Sequence, residues 1–399
     1  MKILVLNCGS SSIKYKLYNM DDKSVLSAGN IVRIGLPRAH LKLKVPFERK
    51  VYHDIPNHEV GLELLFRLMT DKDLGAIKTL DEIDAVGHRI VHGGSFTESM
   101  ELTSSTLREW KKFSDLAPLH NPASLLGIEA ISKKLPFLPQ IGVFDTSFHQ
   151  TMPEHAYMYA IPRKYYQRYG IRRYGFHGTS HRYVLGRAAE VLGFNPEEKN
   201  VIICHIGNGA SLAAVKNGKC VDTTMGLTPL EGLIMGTRCG DIDPSAVLYM
   251  MDKEKLSVRE TSNILNRESG MLALSGVSSD MAEIAKAEQE GNRRARIANR
   301  MYNYRIKKYI SAYMGVLGGA DYILFTAGVG EHQWEMRQRC TAGLEFMGIK
   351  IDEELNKAAF GTESIISAPD SKVTVAVIPT DEELLVAMDT YKIISSRRI

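Results

Sequence analysis

Two stretches half a chain apart share one plan. Ile3-Leu4-Val5-Leu6 is an apolar run, residues 7–12 are small and polar, and Ile13, Tyr15 and Leu17 then alternate with Lys14 and Lys16. The second stretch repeats this: Val201 to Ile206 is apolar, Gly207-Asn208-Gly209-Ala210-Ser211 is small, and Leu212-Ala213-Ala214-Val215 follows before the hairpin signal Asn217-Gly218. A shift of 199 residues lays Ser12 on Ser211 and Ile13 on Leu212. A period of two places successive side chains on opposite faces of a strand, so each unit reads as strand, Gly/Ser turn, strand. With roughly 150 residues per domain as a starting point, a 399-residue chain built this way is expected to be a duplicated α/β protein of two domains. The expected boundaries are 1–148 and 149–382, with a C-terminal helix over about 383–399 returning to the first domain.

The intervening pattern fits that plan. Leu41 to Val45 alternates as a strand, and residues 59–70 and 292–317 carry helical apolar spacing, the longer one stopped by Gly318-Gly319. Tyr322 to Thr326 reads as a buried strand running into Ala327-Gly328-Val329-Gly330-Glu331, and Val373, Val375 and Val377 alternate as another. Asp243 and Pro244 read as N-cap and first residue of a helix. Thr380 with Glu383 reads as a capping box, which leaves Glu382 for another role, such as holding Mg²⁺.

Composition narrows the classes of function. With 50 Lys+Arg against 46 Asp+Glu, the net charge of +4 gives no general reason to expect nucleic acid or an anionic membrane. No apolar run approaches the roughly 18 residues of a membrane span, and Met1 to Leu6 is too short for a secretory leader. The five cysteines are odd in number and form no C-x-x-C pair, so neither a disulfide framework nor a zinc site is expected. A reducing cytoplasm is the simplest location. The basic stretch from Arg293 to Lys308 lies on a helix whose other face is apolar, and reads as a solvated face or a subunit contact rather than a nucleic-acid surface.

The chain lacks G-x-x-x-x-G-K-[ST], G-x-G-x-x-G and the kinase pair H-R-D and D-F-G. Phosphate would have to be held by Gly/Ser turns whose amides form anion-binding nests. Three segments qualify: 7–12, 207–211 and 327–331. One such turn alone is an ordinary hairpin; three at strand ends, two in a repeat, point to phosphate. Arg89 beside Gly93-Gly94 and Arg238 between Gly236 and Gly240 are candidate anion forks. Asp145 follows an apolar strand, and His177 and His181 sit in a Gly/aromatic turn. The histidines lack zinc spacing, so their expected work is hydrogen bonding to an anion.

Taken together, NCGSSSIKYKL, GHRIVHGG, APLHNPAS, VFDTSFH, RRYGFHGTSH, HIGNGASLAAVKNGK, DTTMGLTPLEGLIMGTRCGDIDP, FTAGVGE and IPTDEEL resemble the acetate kinase (acetokinase) family of the acetate and sugar kinase/heat-shock cognate/actin superfamily. The resemblance spans essentially the whole chain. It implies a duplicated ribonuclease H-like (actin-like ATPase) fold with a cleft between two domains, and reversible Mg²⁺-dependent transfer from ATP to acetate, with Mn²⁺ as a substitute metal. It also implies a cytoplasmic homodimer that meets neither membrane nor nucleic acid.

By the same resemblance, Asn7 and Glu382 belong to the metal. Ser10, Ser12, Lys14, His120, His205, Gly207, Asn208 and Gly209 belong to the phosphates, and Gly328, Val329 and Gly330 to the adenosine side. Arg89, Arg238, Asp145 and His177 are the implied catalytic set, with His177 and Arg238 stabilising the transition state. Val91, Leu119, Phe176 and Pro229 are the implied pocket for the acetate methyl group. A propionate or other short-chain carboxylate kinase is the alternative within the family. A chaperone-type ATPase or filament protein on the same fold would need neither Arg89 nor Arg238. His332 stands where the family usually has Asn, and Cys220 and Cys239 where Ser is common.

Overall fold

The computed structural model describes residues 1–73, 75–117 and 120–397. They form two compact units, one of residues 1–148 together with 381 onward, the other of residues 149–380.

In the first unit, eight strands form one sheet. They are β1 (Lys2–Gly9), β2 (Ser12–Asn19), β3 (Ser24–Val32), β4 (His40–Val45), β5 (Arg49–Tyr52), β6 (Ala85–Ile90), β7 (Met100–Glu101) and β8 (Gln140–Phe144), in the order β5-β4-β3-β2-β1-β6-β8-β7. Strand β1 runs antiparallel to β2 but parallel to β6, and β6 runs parallel to β8. The apolar run in β1 is explained by burial on both faces. Leu4 and Leu6 pack with Leu62, Phe66 and Ile131 of the helices His58–Met69 and Asn121–Lys134, whereas Ile3 and Val5 pack with Val386 and Ile394 of the C-terminal helix Glu382–Ser395. That helix lies so close to β6 that a Cβ on Gly87 would come within 2.5 Å of Thr390 Oγ1, so this position has room only for glycine.

In the second unit, β9 (Asn200–Ile206), β10 (Ala210–Lys216), β11 (Lys219–Thr223), β12 (Tyr322–Thr326), β13 (Ser364–Ile365) and β14 (Thr374–Val377) form a sheet of order β11-β10-β9-β12-β14-β13. The antiparallel hairpin and the parallel run β9-β12-β14 repeat β2-β1-β6-β8 in order and direction. This is the duplicated ribonuclease H-like α/β fold of the actin-like ATPases.

Three details differ from the sequence reading. The first turn is only Ser10-Ser11, because Asn7 and Cys8 are already in β1, and the second is Gly207 to Gly209, because Ala210 and Ser211 are already in β10. The two hairpins therefore close with loops of different length. Residues 327–331 are no open turn; they wind into the short helix Ala327–His332. Thr380 is not a helix cap. Asp381 is, its carboxylate accepting from Leu384 N–H at 3.1 Å and from Lys16 Nζ at 3.0 Å. This pairing ties residue 381 to the first unit. Asp243 caps the helix Pro244–Glu254.

His88, on β6, is buried with its Nε2 2.8 Å from Gln140 Oε1. Burial pushes its imidazole down to about 4 despite the opposing help of Gln140, so the folded chain keeps it neutral where the unfolded chain, near pH 6.5, protonates it. The stability from that neutral form is fully present above about pH 6.5 and is lost as pH falls through about 4. His88→Gln should therefore flatten the fall of the thermal midpoint between pH 6.5 and 4; an unchanged slope would exclude His88 as a source of acid lability.

Candidate active site

In the first unit the charged residues gather at the C-terminal ends of neighbouring parallel strands. Arg89 is the penultimate residue of β6, and Asp145 immediately follows β8, its N–H donating to Ile90 O at 2.9 Å. Arg89 Nε and Nη2 donate to the two Asp145 oxygens at 3.2 and 2.8 Å, a bidentate fork. Its remaining Nη1 lies 3.1 Å from Glu382 Oε2 at the start of the C-terminal helix. Burial would lower the basicity of Arg89, but the charges of Asp145 and Glu382 outweigh it and hold the group protonated. Glu382 is pushed up by burial, with Asp145 and Glu383 adding to the shift and Arg89 and Lys14 opposing it.

Asn7 pairs in register with Lys14 across the hairpin; Ser10 and Lys14 are exposed, and Ser12 is half-buried. His120 is half-buried at the N-cap of the helix Asn121–Lys134, and Val91 is half-buried just beyond β6. Leu119 lies outside the described residues.

Two carboxylates facing one guanidinium leave the group with an excess of negative charge and hard oxygens. Among the described residues no set of three His, Cys, Asp or Glu side chains could hold a metal ion alone. The hard carboxylate oxygens of Asp145 and Glu382 are the donor type that Mg²⁺ takes, one or two protein carboxylates with the shell completed by water and substrate phosphates.

In the second unit, His177 precedes the helix Gly178–Leu192 as its N-cap, in the left-handed region at φ 56°, a conformation that costs a non-glycine residue about 1–2 kcal/mol. Its ring stacks on His205, with centroids 4.2 Å apart. Each of these rings has its Nδ1 against a buried serine: His177 against Ser211 Oγ at 2.9 Å, and His205 against Ser180 Oγ at 2.7 Å. Ser180 Oγ also meets Thr380 Oγ1 at 2.8 Å. Thr380 N–H and Ala327 N–H both donate to Glu331 Oε1, at 3.1 and 2.7 Å. Glu331 thereby pins the backbone around Gly328, Val329 and Gly330. His332 adds a bond from its Nδ1 to Gly328 O at 2.8 Å.

Gly207, Asn208 and Gly209 form the turn. A Cβ on Gly209 would stand 3.3 Å from His177 Nε2 and 3.6 Å from Arg238 Nη1, so both groups border the space that the missing side chain leaves open. Arg238 donates from Nη1 to Pro229 O at 2.8 Å and to Met235 Sδ at 3.4 Å. No carboxylate pairs with it among the described residues, and burial lowers its basicity. Phe176 is buried, and its carbonyl accepts from the His149 ring at 2.9 Å.

The structure thus gathers Arg89, Asp145 and Glu382 in one unit, and His177, His205, Gly209, Pro229 and Arg238 in the other. The sequence reading placed Ser211 and Glu331 only as members of the segments 207–211 and 327–331, read Thr380 as part of a capping box, and gave Ser180 no role; the hydrogen-bond partners of all four become visible only in three dimensions.

The model of the acetokinase family matches residues 2–388. Acetate kinases of Bacteroides thetaiotaomicron and Phocaeicola vulgatus are 59% and 60% identical to this chain, each over 99% of it and 100% of the relative. Among solved structures, the acetate kinase of Porphyromonas gingivalis superposes with a TM-score of 0.95 at 50% identity, covering 98% of this chain and 99% of that one. A propionate kinase from Francisella tularensis superposes at 0.92 with 39% identity, over 98% and 99%.

The two arginines differ in what their removal should cost. Arg89→Ala takes the bidentate partner from a carboxylate that is 1% exposed, so it should destabilise the fold by about 3–5 kcal/mol. Arg238→Ala removes a desolvated cation that no carboxylate balances, and its thermal midpoint should equal or exceed that of the parent. Equal losses in the two variants would contradict this charge assignment.

Proposed function

Since the chain belongs to the acetokinase family, we propose that it transfers the γ-phosphoryl group of ATP to acetate, reversibly, giving ADP and acetyl phosphate. It is a phosphotransferase with a carboxyl group as acceptor. One observation carries the reading to the site. Arg238 is a half-buried guanidinium without a carboxylate partner among the described residues, and with His177 it borders an open space over a glycine turn. A cation kept in such a place is matched by an anion that arrives with the substrate.

Acetate is already ionised at neutral pH, so its oxygen can attack phosphorus without a general base. What remains is positioning and neutralisation of charge on the transferring group. Arg238 and His177 donate to the equatorial phosphoryl oxygens, and the amides of Gly207 to Gly209 hold the phosphates. Arg89, oriented by Asp145, steers the carboxylate and the phosphoryl group; Val91, Phe176 and Pro229 are the residues that the family resemblance assigns to the methyl group. Ser10, Ser12, Lys14 and His120 complete the phosphate contacts, and Gly328 to Gly330 meet the adenosine side. Glu382 and Asn7 would hold Mg²⁺, which would supply positive charge to offset that of the phosphates. Transfer is direct and in line, with His177 a donor and not a covalent carrier.

A second copy of the chain is the proposed partner. The helix Pro244–Glu254 has no buried residue although it carries Val247, Leu248, Tyr249, Met250 and Met251; Leu248 and Tyr249 are 65% and 66% exposed. An apolar face of this kind is ordinarily covered. The cysteines are free, and only Cys239 of the five is not buried, which suits a reducing compartment.

Trapping acyl phosphate with hydroxylamine tests the reaction. Acetate should give acetohydroxamate in an ATP-dependent manner, and Arg238→Ala and Arg89→Ala should lose kcat far more than affinity. ATP turnover that needs no carboxylate would refute the assignment. One methylene in an apolar pocket is worth only about 1–3 kcal/mol, so a series from formate to butyrate should favour acetate by a modest ratio, and Val91→Ala should move that ratio toward propionate. On sedimentation the chain should run as a dimer and Leu248→Asp as a monomer; an unshifted profile would remove this helix from the interface.

A further inference from the structure

Arg337, on the helix Trp334–Thr341, is fully buried, and the proposed reaction makes no use of it. Its guanidinium is spread over four neutral acceptors. Nε donates to Asn356 Oδ1 at 2.7 Å, Nη2 to Asn356 O and Ala359 O at 2.8 Å each, and Nη1 to Gly330 O at 2.9 Å. Asn356 is itself fully buried and donates from Nδ2 to Trp334 O at 2.9 Å. Burial pulls the pKa of Arg337 down to about 10, with Cys340 and Glu335 opposing, so the group is a cation at neutral pH. A buried cation among neutral groups is costly unless its donors are met, and the planar fork meets them in one geometry only.

The bond to Gly330 O reaches the segment Ala327–His332. Its six residues are well short of the roughly 12 with which a helix begins to hold by itself. Two of them are glycine, the poorest helix former after proline, and Ala327 starts the segment in the left-handed region at φ 64°. Bonds from side chains must therefore set this backbone. Glu331 takes up Ala327 N–H, and His332 reaches back to Gly328 O, but both act from within the segment. Arg337 ties Gly330 O, a last-turn carbonyl, to the end of the helix Glu353–Ala358. Gly361 N–H, donating to Glu331 O at 3.1 Å, draws the same stretch against the segment. Gly330 is buried and Gly328 exposed, so the guanidinium grips the segment from its inner side and leaves the outer side open.

We propose that Arg337 is a positioning residue for the nucleotide: by holding Gly330 O against the helix Glu353–Ala358 it sets the backbone of Gly328 to Gly330 that meets the adenosine side. The placement of adenosine there rests on the function proposed above. Arg337 touches neither substrate and acts through the backbone alone, so its loss weakens ATP and ADP and leaves acetate alone.

Steady-state kinetics and calorimetric titration with Mg²⁺ and ADP, both on the full chain, test this. Arg337→Met keeps the apolar stem and leaves Gly330 O without its donor. It should raise KM for ATP and Kd for ADP about tenfold, the worth of one buried hydrogen bond, with KM for acetate and kcat at saturating ATP within about threefold. A side chain that only filled the core would lower the thermal midpoint and the active fraction, and KM for ATP would stay put. Arg337→Lys keeps the charge without the fork, is the milder change to the core, and should raise Kd for ADP about threefold. Unchanged ADP affinity in Arg337→Lys overturns the proposal, as do a KM for acetate that rises in step with that for ATP and a parent that binds no ADP. Because the titration needs no phosphoryl transfer, a parent that binds ADP and makes no acyl phosphate fails the functional reading alone, and the variants still decide the role of Arg337.

Discussion

The site in the first unit depends on the burial of β1 on both faces. Leu4 and Leu6 go to one helical layer, Ile3 and Val5 to the other, and the second layer is the C-terminal helix, nearly four hundred residues along the chain from the strand it covers. Docking that helix against Gly87 brings Glu382, its first residue, to Arg89. Without two-sided burial the strand would have no need of a helix from the far end of the sequence, and the carboxylate at its start would have no arginine to face.

Arg89 in the first unit and Arg238 in the second have opposite electrostatic settings. Arg89 is held between Asp145 and Glu382 and is a fixed part of the fold. Among the described residues Arg238 is anchored by a backbone carbonyl and a thioether, and no carboxylate there offsets its charge.

Duplication supplied two hairpins, and the units use them differently. The tight Ser10-Ser11 turn leaves serine and lysine side chains at its surface, whereas the longer Gly207 to Gly209 turn has little side chain and lets His177 and Arg238 close over it. The serine that corresponds in the alignment has moved from beside a turn to behind a histidine. The two hairpins thus share one backbone plan, and the helix Gly178–Leu192, packed against β9 and β12, brings His177 to the second.

Much of the fold was legible in the sequence, because period-two and helical patterns, the Asn217-Gly218 turn, the Asp243-Pro244 start and the Gly318 stop are local signals that act over a few residues. The motif residues Arg89, Asp145, Arg238 and His177 stood out for the same reason, each flanked by glycines or by a strand end. What the sequence could not determine was partnership. Thr380 and Glu383 satisfied a capping pattern, but Asp381 took the cap because Lys16, from a distant hairpin, lies against it. Glu331 looked like the end of a glycine turn, and became the anchor of Thr380 and Ala327. Ser211 looked like a copy of Ser12, and became the partner of two histidines. Local patterns fix which elements form; hydrogen bonds and ion pairs between residues far apart in sequence form only when packing brings them within about 3 Å, and that was decided by the tertiary structure alone.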